Sequence, residues 1–327
     1  MKRVLLGSLA TFALLSSGLA SPALSSVAVD RGGHSHRHAA TSSTKAMPGN
    51  HIWRDPEMLT AKEAAALHRR QEQILAQSGL KVTARPNASV TIPIDFHGIT
   101  DRKGHGFVSK ARIHRQIRVL NRAYGGRTSR HAADTPFRFR LNSISRTKND
   151  RWYNASGLTK KGNIRLRHMQ RALHVGNTRH LNLYTVGPGF QLLGFAYLPA
   201  TSPLKLDGVV VWGASLPGGN ANLGKGQVYN RGDTTTHEVG HWLNLEHTFL
   251  GSCSGLNDYV TDTPRQMAGD NIFEDATFNT CGTPNGPSDP GHNFMNYADD
   301  PYINQFTMGQ RDRMNTAWYI REALALS

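Results

Sequence analysis

The stretch Thr236-His237-Glu238-Val239-Gly240-His241-Trp242-Leu243-Asn244-Leu245-Glu246-His247 decides how the rest of this 327-residue chain is read. On a helix, residues four apart share one face about a turn apart, so His237 and His241 point two imidazoles at one ion while Glu238 projects beside them. A catalytic zinc takes three protein ligands and keeps one position open. His247 can be the third ligand only if the helix stops after Leu243 and the chain turns back through a left-handed residue. Asn244 stands at that point, and asparagine is the non-glycine residue that tolerates this conformation best. Glu246 is the rival third ligand, but it adjoins His247 and faces elsewhere if the imidazole coordinates.

Working downstream, Asn293-Phe294-Met295-Asn296-Tyr297 lies about 50 residues past this helix. Methionine is usually core filler. In conjunction with a three-histidine motif, Met295 is instead expected in a tight turn under the metal. The two cysteines, Cys253 and Cys281, lack the spacing of a zinc knuckle and are expected to form one disulfide in an oxidising compartment.

Working upstream, Val90, Ile92, Ile94 and Phe96 alternate with Thr91, Pro93 and Asp95, which predicts a strand from about Ser89. Ile113, Ile117, Leu120 and Tyr124 recur at helical spacing and predict an amphipathic helix over 109–124. Further strands are expected at 137–144, 181–186, 192–198 and 209–212, with a second basic helix over 160–174. The pattern is that of an α+β or mixed α/β domain. Before it, Thr60 and Glu63 form a capping-box signature for a helix that ends at Gly79.

The N-terminus reads as a secretory signal peptide over residues 1–25: Lys2 and Arg3, an apolar run, then small residues that place cleavage near 20 or 25. Residues 26–85 are expected to be a pro-segment or flexible lead-in. Their cluster His34, His36 and His38 is read as adventitious, and Asp55 or Glu57 beside Trp53 as the natural plug if the segment blocks the metal. Residues 86–327 are expected to form the main domain that carries the motif. No apolar run reaches the ~20 residues of a membrane span.

The formal charge of +15 is unevenly placed. Residues 102–179 carry 20 Lys and Arg against 2 acids, whereas 207–300 carry 3 against 12. The motif-bearing half is therefore acidic, which argues against a nucleic-acid site there. A secreted basic protein that grips a polyanion around a structural zinc is the competing reading, and a zinc hydrolase of another substrate class is a third.

The chain resembles the pappalysin branch of the metzincin metalloendopeptidases in its secreted microbial form. The likeness rests on HEVGHWLNLEHTF (237–249), DYVTDTP (258–264), NFMNYADD (293–300) and FTMGQRDRM (306–314), with TPFRFRL (135–141) and LLGFAYLP (192–199) upstream. It implies a metzincin-like fold: a twisted five-stranded mixed sheet with two helices, a zinc helix flooring the cleft, and an irregular lower subdomain ending in a long helix over about 307–324. It implies zinc on His237, His241 and His247, Glu238 as general base, Met295 beneath the metal and Tyr297 as the group that stabilises the oxyanion. Asn244 departs from the glycine usual in metzincins. The substrates implied are proteins or peptides, cut by a monomer outside the cell. Some members bind structural Ca2+ in the lower half, where Asp258, Asp262, Asp299 and Asp300 are compatible with it or are simply a solvated acidic surface.

Overall fold

A five-stranded sheet of order β2-β1-β3-β5-β4 organises the computed structural model, which describes residues 59–222, 227–253, 257–267, 279–282 and 287–326. The signal peptide, the histidine cluster at 34–38 and the Trp53, Asp55 and Glu57 group lie outside the described residues. Strands β1 (Val90–Thr100), β2 (Phe137–Lys148), β3 (Leu181–Val186) and β5 (Val209–Trp212) run parallel, and β4 (Gly194–Ala196) runs antiparallel along β5 at the sheet edge.

Alternation along the strands sorts their side chains onto two faces. Ile92, Ile94, Phe96, Leu183, Val209 and Val211 pack against Ile113, Ile117 and Leu120 of α2 (Lys110–Ala123), Val239 and Trp242 of α5 (Asp233–Trp242), and Met314 and Trp318 of α6 (Met308–Leu326). Tyr184, Val186, Val210 and Phe195 face the other way, against Tyr153 of the short α3 (Asp150–Tyr153) and Leu166 and Met169 of α4 (Lys160–Leu173). Each fully buried aliphatic or aromatic side chain contributes about 1.5–3 kcal/mol. The two cores therefore clamp the sheet between the motif helix α5 and the basic helix α4.

The expected elements are present with adjusted bounds. Helix α1 (Ala61–Ser78) starts at Thr60 with the full capping box and stops at Gly79, whose φ is 67°. Strand β2 runs on to Lys148, past the apolar alternation that ended the reading at Ile144, because its ladder with β1 continues to Thr100↔Lys148 while its side chains become partly exposed. Strand β4 is shorter than the expected 192–198. Gln191 at φ 63° and Ala200 at φ 69° bend the chain on either side, and β5 offers only four residues to pair. Cys253 and Cys281 form the expected disulfide. By chain entropy it stabilises the irregular lower half by about 3–4 kcal/mol.

Candidate metal centre

Helix α5 carries the motif, and both of its ends are held by other parts of the chain. At the N-terminus, Asp300 Oδ2 accepts from the backbone N–H of Arg231 at 2.6 Å and of Gly232 at 3.2 Å, a carboxylate where the helix dipole favours one. At the C-terminus, Leu245 N–H donates to Gly240 O and Asn244 N–H to His241 O, with Asn244 at φ 73°. This is a Schellman end with asparagine as its left-handed residue. The turn expected from the sequence is the one observed, and it delivers His247 back to the helix.

Three imidazoles meet there, all buried. His237 Nδ1 faces Phe294 O at 2.6 Å, and His241 Nδ1 faces Leu245 O at 2.7 Å. A carbonyl only accepts, so each Nδ1 carries the proton and each Nε2 presents a lone pair. The Nε2 of His241 lies 3.1 Å from those of His237 and His247, which are 3.2 Å apart. Lone pairs this close repel unless a cation lies between them. Imidazole nitrogens around tetrahedral zinc at 2.0–2.1 Å are about 3.3 Å apart, so the donor set fits zinc.

The other expected site residues surround this group. Glu238 is buried, and a Cβ at residue 194 would sit 2.6 Å from its Cγ and Oε1, so edge strand β4 passes against Glu238 only because Gly194 has no side chain. Met295 packs beneath the helix, where a Cβ on Gly240 would meet its Sδ at 2.4 Å. Tyr297 is buried with its ring 4.7 Å from that of His247 and 5.9 Å from that of His237. Behind the helix, the Tyr124 hydroxyl donates to Thr236 O, and burial next to Glu238 raises its pKa well above the phenol range.

Glu246 does not join the histidines. It is buried with its pKa pushed up to about 7 by desolvation, a shift that the Arg313 cation opposes. The four acidic residues considered for calcium are each engaged in hydrogen bonds. Asp258 accepts from Thr263 Oγ1 and Val260 N–H, Asp262 from Thr307 Oγ1 and Gly309 N–H, Asp299 from Val228 N–H, and Asp300 caps α5. The three histidines are the one group of three or more metal-capable side chains gathered among the described residues.

Sequence reading missed the support of the site. Arg321, 1% exposed, stacks 3.5 Å over the Trp242 ring and donates to Trp242 O through Nε at 2.9 Å and Nη2 at 2.6 Å. Asp207 pairs with Arg321 Nη1 at 2.9 Å and accepts from Trp242 Nε1 at 3.2 Å. The buried ion pair thus places a cation on the last carbonyl of α5, where the dipole favours it. Arg321 is 79 residues from Trp242, and no local signal marks it.

A mixed sheet whose antiparallel edge strand borders a three-histidine helix, with a methionine turn below, defines a metallopeptidase of the metzincin kind. The model of the pregnancy-associated plasma protein-A peptidase family matches residues 174–318. An extracellular metalloprotease of Colletotrichum graminicola is 38% identical over 71% of this chain and 77% of its own length, and one of Pyricularia oryzae 34% identical over 78% and 83%. Among solved structures, a promirolysin mutant of Tannerella forsythia matches with a TM-score of 0.62 at 25% identity, covering 82% of this chain and 95% of its own. Mature mirolysin in complex with a cleaved peptide matches at 0.55 and 26%, covering 72% and 97%. The chain belongs to the pappalysin family and is a metalloendopeptidase.

Proposed function

We propose that this is a secreted zinc endopeptidase that hydrolyses internal peptide bonds, with His237, His241 and His247 as zinc ligands, Glu238 as general base and Tyr297 as the oxyanion donor. The observation that carries this reading is the convergence of three Nε2 atoms at 3.1–3.2 Å beside a buried glutamate. Zinc, when bound, lowers the pKa of a water at the site and polarises the scissile carbonyl. Glu238 takes a proton from the attacking water and hands it to the leaving amine. Tyr297, beside His247, donates its hydroxyl hydrogen to the oxygen on which charge develops.

The free edge of β4 runs past Glu238 and offers main-chain hydrogen bonds to an extended peptide, so the substrate lies along β4 by β-augmentation. Residues 86–327 then constitute the catalytic domain, acting as a monomer, and residues 1–25 the export signal. That promirolysin is matched over about a tenth more of this chain than mature mirolysin supports residues 26–85 as a pro-segment. Within it, α1 packs on α6 and on the Asn244 turn as a brace. Structural Ca2+ in the lower subdomain is tested by a calcium-dependent rise in Tm at fixed zinc.

The deciding experiment is Glu238→Gln. The variant is expected to retain one zinc per chain by metal analysis and to lose several orders of magnitude in kcat/KM on a fluorogenic peptide. A Glu238→Gln enzyme of undiminished activity overturns the mechanism. Processing of residues 21–327, followed by N-terminal sequencing with an activity assay before and after trimming, tests the pro-segment.

A further inference from the structure

Across the sheet from the zinc helix, a cavity of about 770 Å³ opens between α3 and α4. Lys160, Lys161, Arg165 and His168 line it from α4, and Arg151 and Trp152 from α3. None of the five basic residues takes part in an ion pair among the described residues. The adjoining acid, Asp150, is held by Arg102 at 2.5 Å and accepts from its backbone N–H as well. Four permanent cations thus share one concave surface with no ion-pair partner among the described residues, an arrangement that costs self-repulsion and focuses positive potential.

The shape selects among anions. Lys161, Arg165 and His168 recur at spacings of four and three along one helix face, and exposed Arg171 extends the row. At 1.5 Å per residue the row is about 15 Å long. A single small anion calls for donors that converge on a point, whereas a row suits a ligand with repeated charge. The arginine forks take carboxylate or sulfate two-pronged. Trp152, half-buried in the wall, and Ile164, 47% exposed on the floor, add flat apolar surface of the kind a sugar ring covers. No residue that lines the cavity belongs to a β-strand, so an acidic peptide would find no main-chain ladder in its wall.

We infer that the α3–α4 cavity is a binding site for an anionic polysaccharide, sulfated or uronate-bearing, which holds the enzyme on an extracellular polymer while the opposite face of the sheet carries the peptidase. The site is independent of the zinc reading, because it shares no residue with the motif helix.

The test compares two triple variants of the full chain. Lys160→Ala/Lys161→Ala/Arg165→Ala empties the cavity of charge, and Lys110→Ala/Arg115→Ala/Arg118→Ala removes the same charge from exposed positions of α2. Binding to heparin, to polygalacturonate and to a single-stranded oligonucleotide is measured at several salt concentrations. The cavity variant is expected to lose at least tenfold in affinity for one or both polysaccharides with a shallower salt dependence, and the α2 variant to stay within twofold. Both should cleave a short peptide at the wild-type rate, which confirms that they are folded. Should the cavity variant fail that control, Lys161→Glu alone gives the same comparison. Equal losses in the two variants, no binding at physiological salt, or tighter binding of the oligonucleotide than of either polysaccharide overturns the inference.

Discussion

The carboxamides of Gln71 and Asn244 pair reciprocally across 173 residues of sequence, Gln71 Nε2 donating to Asn244 Oδ1 at 2.7 Å and Asn244 Nδ2 to Gln71 Oε1 at 2.9 Å. Gln71 Nε2 also donates to Pro199 O, and Arg313 Nε to the backbone oxygen of Asn244. The left-handed turn between His241 and His247 is therefore held from α1 and from α6, and the Gln71 amide that clasps it is itself anchored on Pro199, past the end of β4.

In the untrimmed chain, which still carries the proposed pro-segment, Gln71→Ala leaves the buried Asn244 amide without this partner, at a cost of about 1–3 kcal/mol. A fall in Tm accompanied by weaker zinc retention in a chelator competition is expected. A fall in Tm with unchanged zinc affinity would show that the clasp serves only stability.

Arg321→Met with Asp207 intact strands a buried carboxylate and removes the cation from the end of α5. The loss is expected to be about 3–5 kcal/mol, and the double change Arg321→Met/Asp207→Leu to recover much of it. Denaturant unfolding of the two variants checks this, and a double variant no more stable than the single one would contradict it.

Gly194→Ala pushes a methyl into Glu238. Displacement of the proposed general base by about 1 Å would cost on the order of 100-fold in rate. kcat on a short peptide is expected to fall by that order with zinc content unchanged.

His97 and His174 are both buried, and burial lowers both pKa values below the usual imidazole value. His97 stacks on Tyr184 at 4.6 Å and bonds Ser145 and Asn182, while Asp95 favours its charged form. Among the described residues neither ring nitrogen of His174 has a hydrogen-bond partner, and Asp207 and Lys205 act on it in opposite senses. A depressed imidazole pKa contributes stability that is complete above the unfolded value near 6.5 and is lost as pH falls below it towards the folded value. Tm is expected to drop between pH 7 and pH 5, less steeply in His174→Leu. An unchanged slope in that variant would remove His174 from the account.

How much of this could be read from the chain alone follows from the range of each interaction. The capping box of α1, the alternation of β1, and the turn at Asn244 are encoded within a few residues, and all three are found where expected. The ends of β2 and β4 depend on what the neighbouring strand offers, so the side-chain pattern misplaced them. The roles of Gly194, Arg321 and Asp300 exist only across long sequence distances, where a glycine, a basic and an acidic residue look like any others. Asp300, read from sequence as part of a solvated acidic surface or a calcium site, is buried and accepts from the backbone at the start of the motif helix.

Strand β4 spans only three residues. A bound chain laid along it pairs over about 10 Å at 3.3 Å per residue, and must offer an extended stretch with unsatisfied amides to do so. Helices and strands already committed to their own ladders have none to give. On the proposed alignment the edge would discriminate by conformation before side chain: exposed loops, frayed termini and denatured polypeptides are expected to be cut, and intact folded proteins to be passed over.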